Sequence, residues 1–368
     1  KARQGKFGFA RLSSRYGNVE LPSIQLINLK KARQQNEMKG HFSKAMIDAM
    51  KEVLAAGKQV LLFQNRRGHS PIYICPVCDW KAMCSNCDIA LTYHKHFDKL
   101  ICHLCNYSYP FVEECPACGS RKLEKIGLGT ERIEEEVREL FPSVAVARLD
   151  FDTGSRKHAV EEILEDFQNN KTRILVGTQM IAKGVDFEHI GLVGILMADA
   201  MLYFPEYTAA ERAFQLMLQV AGRAGRRKER GKVLIQTYNP THPVFKDLAQ
   251  HNYDSFVKKE WRERKKYLYP PFCRMVLIIM RHKDPKFVHQ SATQFSKRLR
   301  ARFGQFLIGP SEPSIARVRN YYIRQMMVKM PPDKEVIRES KEFLLKEREL
   351  LLSEKGKSTL RLDMMVDP

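Results

Sequence analysis

Eight of the nine cysteines fall into four Cys-x-x-Cys pairs: Cys75/Cys78, Cys84/Cys87, Cys102/Cys105 and Cys115/Cys118. Two thiolates three positions apart can turn a tight knuckle around one metal ion. Two knuckles complete the tetrahedral shell of a structural zinc site. Eight ligands therefore make two four-cysteine sites and call for two Zn2+. Pro76, Asn86, Pro116 and Gly119 suit the knuckle turns. Full thiolate shells leave no open coordination position, which argues against catalytic zinc. An iron–sulfur cluster would use the same ligand type, and a disulfide scaffold the same residues. The opening Lys1-Ala2-Arg3-Gln4-Gly5 has no apolar run of the signal-peptide kind. The expectation is a reducing cytoplasm, where clustered thiols bind metal. Spacing alone leaves the pairing open: consecutive, interleaved and nested arrangements all satisfy it. His94, His96 and His103 read as surface or DNA-contacting residues, and Cys273 as a core thiol.

A second chemistry lies in Gln219-Val-Ala-Gly-Arg-Ala-Gly-Arg226. Gly222 and Gly225 permit close backbone approach. Arg223 and Arg226, three apart, can face one anionic target and neutralise charge on a phosphoryl group in transfer. A basic helix end on the surface has the same composition. The place of this segment behind an amphipathic helix favours the functional reading. Two further segments follow apolar runs: 60–68, ending Asn65-Arg66-Arg67-Gly68, and 177–186, with Thr178, Gly184 and Asp186. Arg317, Arg319, Asn320, Tyr321, Tyr322 and Arg324 mix cations with aromatics, as phosphate contact and base stacking require. An ordinary basic hairpin fits that spacing equally. The net charge of +20 favours a polyanionic partner, usually nucleic acid. No stretch is apolar for a membrane span, so a soluble chain with no membrane partner is expected.

The elements that must carry these residues alternate. Ser43 reads as an N-cap for Met46, Ile47, Met50, Val53 and Leu54 at helical spacing, with Gly57 as the stop. Strands are expected at 59–63, 144–149, 173–177, 192–197 and 232–236, and helices at 131–140, 157–167 and 208–220. Strand–helix alternation means an α/β fold with a parallel sheet covered on both faces. Residues 1 to about 40 read as basic and mixed, with a turn at Tyr16-Gly17-Asn18. After the breaker cluster at 239–243 the pattern changes. A charged helix surrounds Trp261, then come a strand at 275–280, a helix at 287–302, and strands at 306–310, 321–330 and 360–366. That is a separate small α+β domain.

Segments 60–68, 177–186 and 219–226 resemble motifs IV, V and VI of the second helicase superfamily. The Asn-Arg-Arg-Gly turn, the eight-cysteine insert and then Gly127-Leu-Gly-Thr-Glu131 look like the PriA family of bacterial replication-restart helicases (primosomal protein N′). Asp150, Asp152-Thr153, Arg156-Lys157, Ala210-Glu211-Arg212 and the ending Leu362-Asp-Met-Met-Val-Asp-Pro368 sit where that family has them. The resemblance covers nearly the whole chain. An RNA helicase or a reverse-gyrase-like topoisomerase would have the wrong motif order around the insert.

The resemblance implies a second RecA-like lobe at 1–74 and 120–238, a two-zinc insert at 75–119, and a C-terminal DNA-binding domain at 239–368. It implies an ATP-dependent 3′–5′ DNA helicase that recognises stalled or D-loop forks and starts primosome assembly. Implied partners are forked and single-stranded DNA, primosome proteins and single-stranded-DNA-binding protein; a monomer is expected. It implies nested zinc sites, with Cys75, Cys78, Cys115 and Cys118 on one ion and Cys84, Cys87, Cys102 and Cys105 on the other. Arg226 matches the arginine finger and Arg223 its companion. Gly184, Asp186 and Gln219 join them as nucleotide-site residues. Arg66, Arg67, Thr178, Arg317, Arg319 and Tyr321 are the expected DNA contacts. The chain departs from the family in one respect: its sequence holds no Gly-x-x-x-x-Gly-Lys-[Ser/Thr] and no Asp-Glu-x-His. ATP and Mg2+ would belong to the full-length protein, and this chain alone is expected not to hydrolyse ATP. The alternative is a non-catalytic zinc-ribbon module that grips DNA and recruits partners.

Overall fold

The computed structural model describes residues 20–64, 72–75, 77–78, 80–94, 99–102, 104–126, 129–150, 157–182, 187–203, 206–225 and 230–368, with Gly5, Gly8 and Ala10. The turn expected at Tyr16-Gly17-Asn18 lies outside them. The chain divides into two units, residues 1–70 with 128–257, and 71–127 with 258–368.

In the first unit Val60, Leu61, Leu62 and Phe63 are all fully buried. A run apolar on both faces marks a central parallel strand. Gln59–Gln64 indeed lies inside a six-stranded sheet, flanked by Ile174–Gly177 and Ile190–Leu196. Val146–Leu149 closes one edge; Lys232–Thr237 and then Ser23–Asn28 complete the other, every pairing parallel. Side chains alternate between two cores, as the pleat requires. Val60 and Leu62 meet Met46, Met50, Ile133 and Val137 on one face. Leu61 and Phe63 meet Phe167, Phe187, Phe214 and Met217 on the other. The Lys44–Ala55 helix starts where Ser43 accepts the Met46 N–H at 3.2 Å, and Gly57, at φ +75°, ends it.

Two features of this unit go beyond the sequence reading. Ser23–Asn28 is a strand, pairing Ser23 with Lys232 and Asn28 with Thr237. The segment after 239 stays with this unit. Val244, Phe245 and Leu248 of the Pro243–Ala249 helix enter its core, and Phe256 stacks on Phe214 at 4.2 Å and 6°.

A buried carboxylate ties the Thr130–Leu140 helix to the His41 turn. Glu136 accepts the His41 backbone N–H at 2.9 Å, and its other oxygen faces His41 Nδ1 at 2.7 Å and Arg132 Nε at 3.0 Å. Burial pushes this carboxyl up, but the hydrogen bonds from His41 and the charges of His41 and Arg132 outweigh it and hold the pKa below the usual range. The folded pKa is depressed, so the stability is present above the unfolded value, near 4.5, and lost as pH falls through the folded one. Glu136→Gln should cost about 1.5–3 kcal/mol at pH 7. Urea melts should show the difference shrinking below pH 4.5. An equal difference at both pH values would refute the carboxylate's role.

Among its described residues the second unit holds two sheets. Three-residue strands run in the order Ser108–Pro110, Lys99–Ile101, Thr92–His94, Ile72–Ile74, Glu124–Ile126. The other sheet is antiparallel: Leu307–Ser311, Tyr321–Met330, Arg274–His282, Arg361–Val366. Arg317–Val318 forms a short hairpin with Tyr321–Met330. Phe295 and Leu299 of the Pro285–Phe303 helix and Leu344 and Leu351 of the Lys334–Ser353 helix cover one face. Asp284 and Asp333 cap these helices, each accepting two backbone N–H groups. The Lys334–Ser353 helix is absent from the sequence reading. Among the described residues no helix is long and apolar enough to cross a membrane.

Candidate metal centres and helicase-motif loops

Each Cys-x-x-Cys knuckle is closed by the same backbone bond. The first cysteine's N–H donates to the carbonyl five residues on: Cys75 to Trp80, Cys84 to Ile89, Cys102 to Tyr107 and Cys115 to Ser120, at 2.8–2.9 Å. Gly119 (φ +69°) and Asn106 (φ +60°) supply the left-handed residues two of these turns need. The knuckles meet two by two. Cys75, Cys78, Cys115 and Cys118 form one set, Cys84, Cys87, Cys102 and Cys105 the other, with sulfurs in each set within 4.8 Å of one another. The outer pairs thus enclose the inner ones, the nested arrangement.

Sulfur separations of 3.6 Å link Cys75 with Cys118, Cys78 with Cys115, and Cys84 with Cys105. These are far from a disulfide, at about 2.05 Å. They are close to the edge of about 3.8 Å in a tetrahedron of sulfurs 2.3 Å from zinc. Charge points the same way. Burial raises Cys75 and Cys105, yet N–H donors (Val77 and Cys78; Tyr107) and neighbouring thiols bring both down to about 7. Cys78 is pushed up to about 12: the Trp80 N–H lowers it, but neighbouring thiols and burial win. Burial and neighbouring thiols likewise push Cys87 up to about 12 against the Arg319 N–H. Four thiolates cannot share such a space without a cation. The residues fit zinc, and two sets fit two ions.

The second set has partners that sequence reasoning missed. Arg319 N–H donates to Cys87 Sγ at 3.2 Å, and Arg317 Nε pairs with Asp88 at 2.9 Å. The only sequence signal was an acid directly after a knuckle in a basic chain. The expected DNA-facing residues therefore engage the insert: Arg317 through its guanidinium, Arg319 through Nε to the Leu104 carbonyl at 3.1 Å. Tyr321 lies under the Arg361 guanidinium, 4.4 Å from ring centre. Lys283, Arg317, Arg319, Asn320, Tyr321 and Tyr322 line a cavity of about 530 Å³ beside them.

In the parallel-sheet unit the motif residues occupy opposite edges. Thr178 is buried at the carboxyl end of Ile174–Gly177, its N–H on the Leu149 carbonyl at 3.2 Å. A side chain at Gly177 would strike that carbonyl at 2.9 Å and Ile181 at 2.6 Å. Next to it, buried Asp150 accepts from Thr130 and, at 2.6 Å, from Arg148, which fixes the start of the Gly-Thr-Glu helix. The 222–225 turn lies at the other edge. The Ala209–Ala221 helix runs back along the sheet, so Arg223 emerges where Gly225 N–H bonds the Ile190 carbonyl at 3.2 Å, at the amino end of a strand. This segment ends a helix, as its place behind an amphipathic run implied, and so lies at the amino rather than the carboxyl ends of the strands. Gln219 is exposed and Arg223 half-buried. Arg66, Arg67, Gly184, Asp186 and Arg226 lie outside the described residues.

Family models match in the same order. The helicase conserved C-terminal domain matches residues 125–228, the PriA DNA helicase Cys-rich region 84–110, and the primosomal protein N C-terminal domain 265–368. The chain is similar to the replication restart protein PriA of Haemophilus influenzae, 36% identical over 368 residues, covering 100% of this chain and 49% of that protein. It is 37% identical to that of Bacillus subtilis over 331 residues, 89% of this chain and 41% of that one. The chain thus spans about half the length, or less, of these curated relatives. The alignment with Saccharomyces cerevisiae Dbp5 bound to RNA is loose, at 11% identity and TM-score 0.31 over 67% of this chain and 44% of that one, and carries no argument. With the PriA Cys-rich region matched at 84–110, the primosomal protein N C-terminal domain at 265–368 and 36% identity over all 368 residues, the chain belongs to the PriA family of replication restart proteins, as its C-terminal part.

Proposed function

We propose that this chain forms the distal half of an ATP-dependent 3′–5′ DNA helicase that recognises stalled or D-loop forks and initiates primosome assembly. The observation that carries the reading is the nested pair of four-cysteine sets interrupting a parallel-sheet lobe that carries Thr178 and Arg223. In this reading Thr178 meets the strand at the carboxyl edge of the sheet. Arg223 and Arg226 meet the nucleotide phosphates, with Gly184, Asp186 and Gln219 in the same site. ATP and Mg2+ would be held mainly by a phosphate-cradle lobe, whose motif this sequence does not contain. Separation of the two edges suits a motor: one edge senses nucleotide, the other holds DNA. The cavity lined by Lys283, Tyr321 and Tyr322 supports phosphate contact and stacking at a fork. Primosome proteins and single-stranded-DNA-binding protein are the partners proposed, in a cytoplasmic setting.

The test is ATP hydrolysis and fork binding by the purified chain. It should bind forked DNA without hydrolysing ATP. Hydrolysis should appear when the chain is joined to a lobe carrying the phosphate cradle, and Arg226→Ala should abolish it there. DNA-stimulated hydrolysis by the chain alone would sink the assignment. Unchanged fork affinity in a Lys283→Ala, Tyr321→Ala variant would remove the cavity from the DNA path.

A further inference from the structure

The hairpin that carries Arg317 and Arg319 is gripped along its whole turn by the second four-cysteine set. Arg319 and Asn320 have φ of +52° and +62°, the two left-handed residues of a type I′ turn. Neither is glycine. A left-handed arginine persists where its surroundings over-determine it, and here the knuckles do so. Arg319 N–H donates to Cys87 Sγ at 3.2 Å. Asn320 N–H donates to the Asn86 carbonyl at 2.8 Å, and Asp88 N–H returns a bond to the Arg317 carbonyl at 2.9 Å. Arg317 reaches Asp88 at 2.9 Å and the Ser85 carbonyl at 3.0 Å. Arg319 Nε reaches the Leu104 carbonyl, and Asn320 Nδ2 the Asn86 side chain at 3.1 Å. Val318 packs against the core around Cys84, Cys87 and Cys102.

Both knuckles of this set are therefore held by a hairpin more than 200 residues away in sequence. Thiols of both sets take N–H groups from their own knuckles, Cys84 from Asn86 and Cys105 from Tyr107 in the second, Cys75 from Val77 and Cys78, Cys78 from Trp80 and Cys118 from Ser120 in the first. The second set differs in taking one more from outside, the Arg319 N–H on Cys87.

We propose that the 317–320 hairpin is a built-in outer shell of the second metal centre, so that hairpin docking and metal retention at Cys84, Cys87, Cys102 and Cys105 form one linked equilibrium. The first centre holds its metal independently. The proposal rests on the zinc reading of the Cys sets. An N–H aimed at a ligand sulfur fixes its position and offsets its charge, and loss of such outer partners typically costs 10–100-fold in metal affinity. Linkage is reciprocal: emptying the second centre must loosen the hairpin by the same free energy. Arg317 and Asn320 are positioning residues, acting on the metal only through the knuckle.

The test uses the full chain loaded with zinc, its metal counted first. Chelator-driven release is followed by cysteine alkylation mapped by mass spectrometry, which reads each centre separately. In an Arg317→Ala, Asn320→Ala variant, and independently in Asp88→Ala, alkylation of Cys84, Cys87, Cys102 and Cys105 should accelerate about tenfold or more. Rates at Cys75, Cys78, Cys115 and Cys118 should stay native. Arg319→Gly keeps the N–H on Cys87 and accepts positive φ but loses the Nε bond to the Leu104 carbonyl, so it should accelerate release less than the double variant. In the native chain, chelation should also raise amide exchange across 317–322. Native rates at all eight cysteines in both variants would overturn the proposal. So would equal acceleration at both centres, or acceleration by Arg319→Gly as large as by the double variant. A chain that binds no zinc at the outset would overturn the metal reading together with the proposal.

Discussion

Replacing Cys102 by serine is expected to unfold residues 84–110 of the cysteine insert while the parallel-sheet unit keeps its structure. Apart from its metal sets and the 317–320 hairpin, the insert has little to hold it. Its strands are three residues long, and its buried cluster consists of Ala82, Cys84, Cys87, Leu91, Leu100 and Cys102, half of them thiols. Apolar burial of that size does not offset the ordering entropy of some fifty residues at about 1–2 kcal/mol each. Metal binding must supply the difference, and a structural zinc contributes on the order of 10–16 kcal/mol. Cys102 is fully buried and its N–H closes a knuckle on Tyr107. The exposed Cys118 lies in the other set, so Cys118→Ser should do less damage to residues 84–110. Metal content should fall from two ions to one in Cys102→Ser, and amide exchange across 84–110 should approach that of an unfolded chain. Residues 23–64 and 130–237 should keep native protection. Retained protection across 84–110 with the second ion gone would show that packing, not metal, holds the insert.

What could be read from the sequence follows the length scale of each feature. The central strands were readable because 60–63 and 192–196 are continuous apolar runs, buried on both faces. Ser43 was readable as a cap because capping is settled within three residues. Ser23–Asn28 was not. It is an edge strand with alternating polar residues, and only its pairing with Lys232–Thr237 makes it a strand. The Lys334–Ser353 helix was missed because its buried stripe is thin: only Ser340, Leu344 and Leu351 are buried in 20 residues. At the metal centres ligand type was readable from spacing, but pairing was not, since it depends on how the Thr92–His94 and Lys99–Ile101 strands pair. The family resemblance supplied the nesting; no local rule did. Arg317 shows the limit most clearly. Composition marks it as a cation seeking an anion, and cannot say whether that anion is a phosphate or Asp88.

Gly231→Ala is expected to destabilise the parallel-sheet unit by about 2–3 kcal/mol, as overpacking against backbone does. A methyl there would lie 2.3 Å from Gly225 N and 2.4 Å from the Ala224 carbonyl carbon. Both are main-chain atoms, so no rotamer change relieves the clash. The Gly231 carbonyl also accepts the Ser23 N–H at 2.8 Å, which holds the edge strand. Relief must therefore come from the other side, by displacing the 222–225 turn from the Ile190 carbonyl. That turn carries Arg223, so a stability defect and a nucleotide-site defect should appear together. Gly57→Ala is the control. Its methyl meets open space and only the φ of +75° is strained, so it should cost about 1–2 kcal/mol and leave the turn in place. Urea midpoints give the first quantity, and amide exchange at 223–225 gives the second. If Gly231→Ala costs no more than Gly57→Ala, or leaves exchange at 223–225 native, the close approach of the two backbones does not position Arg223.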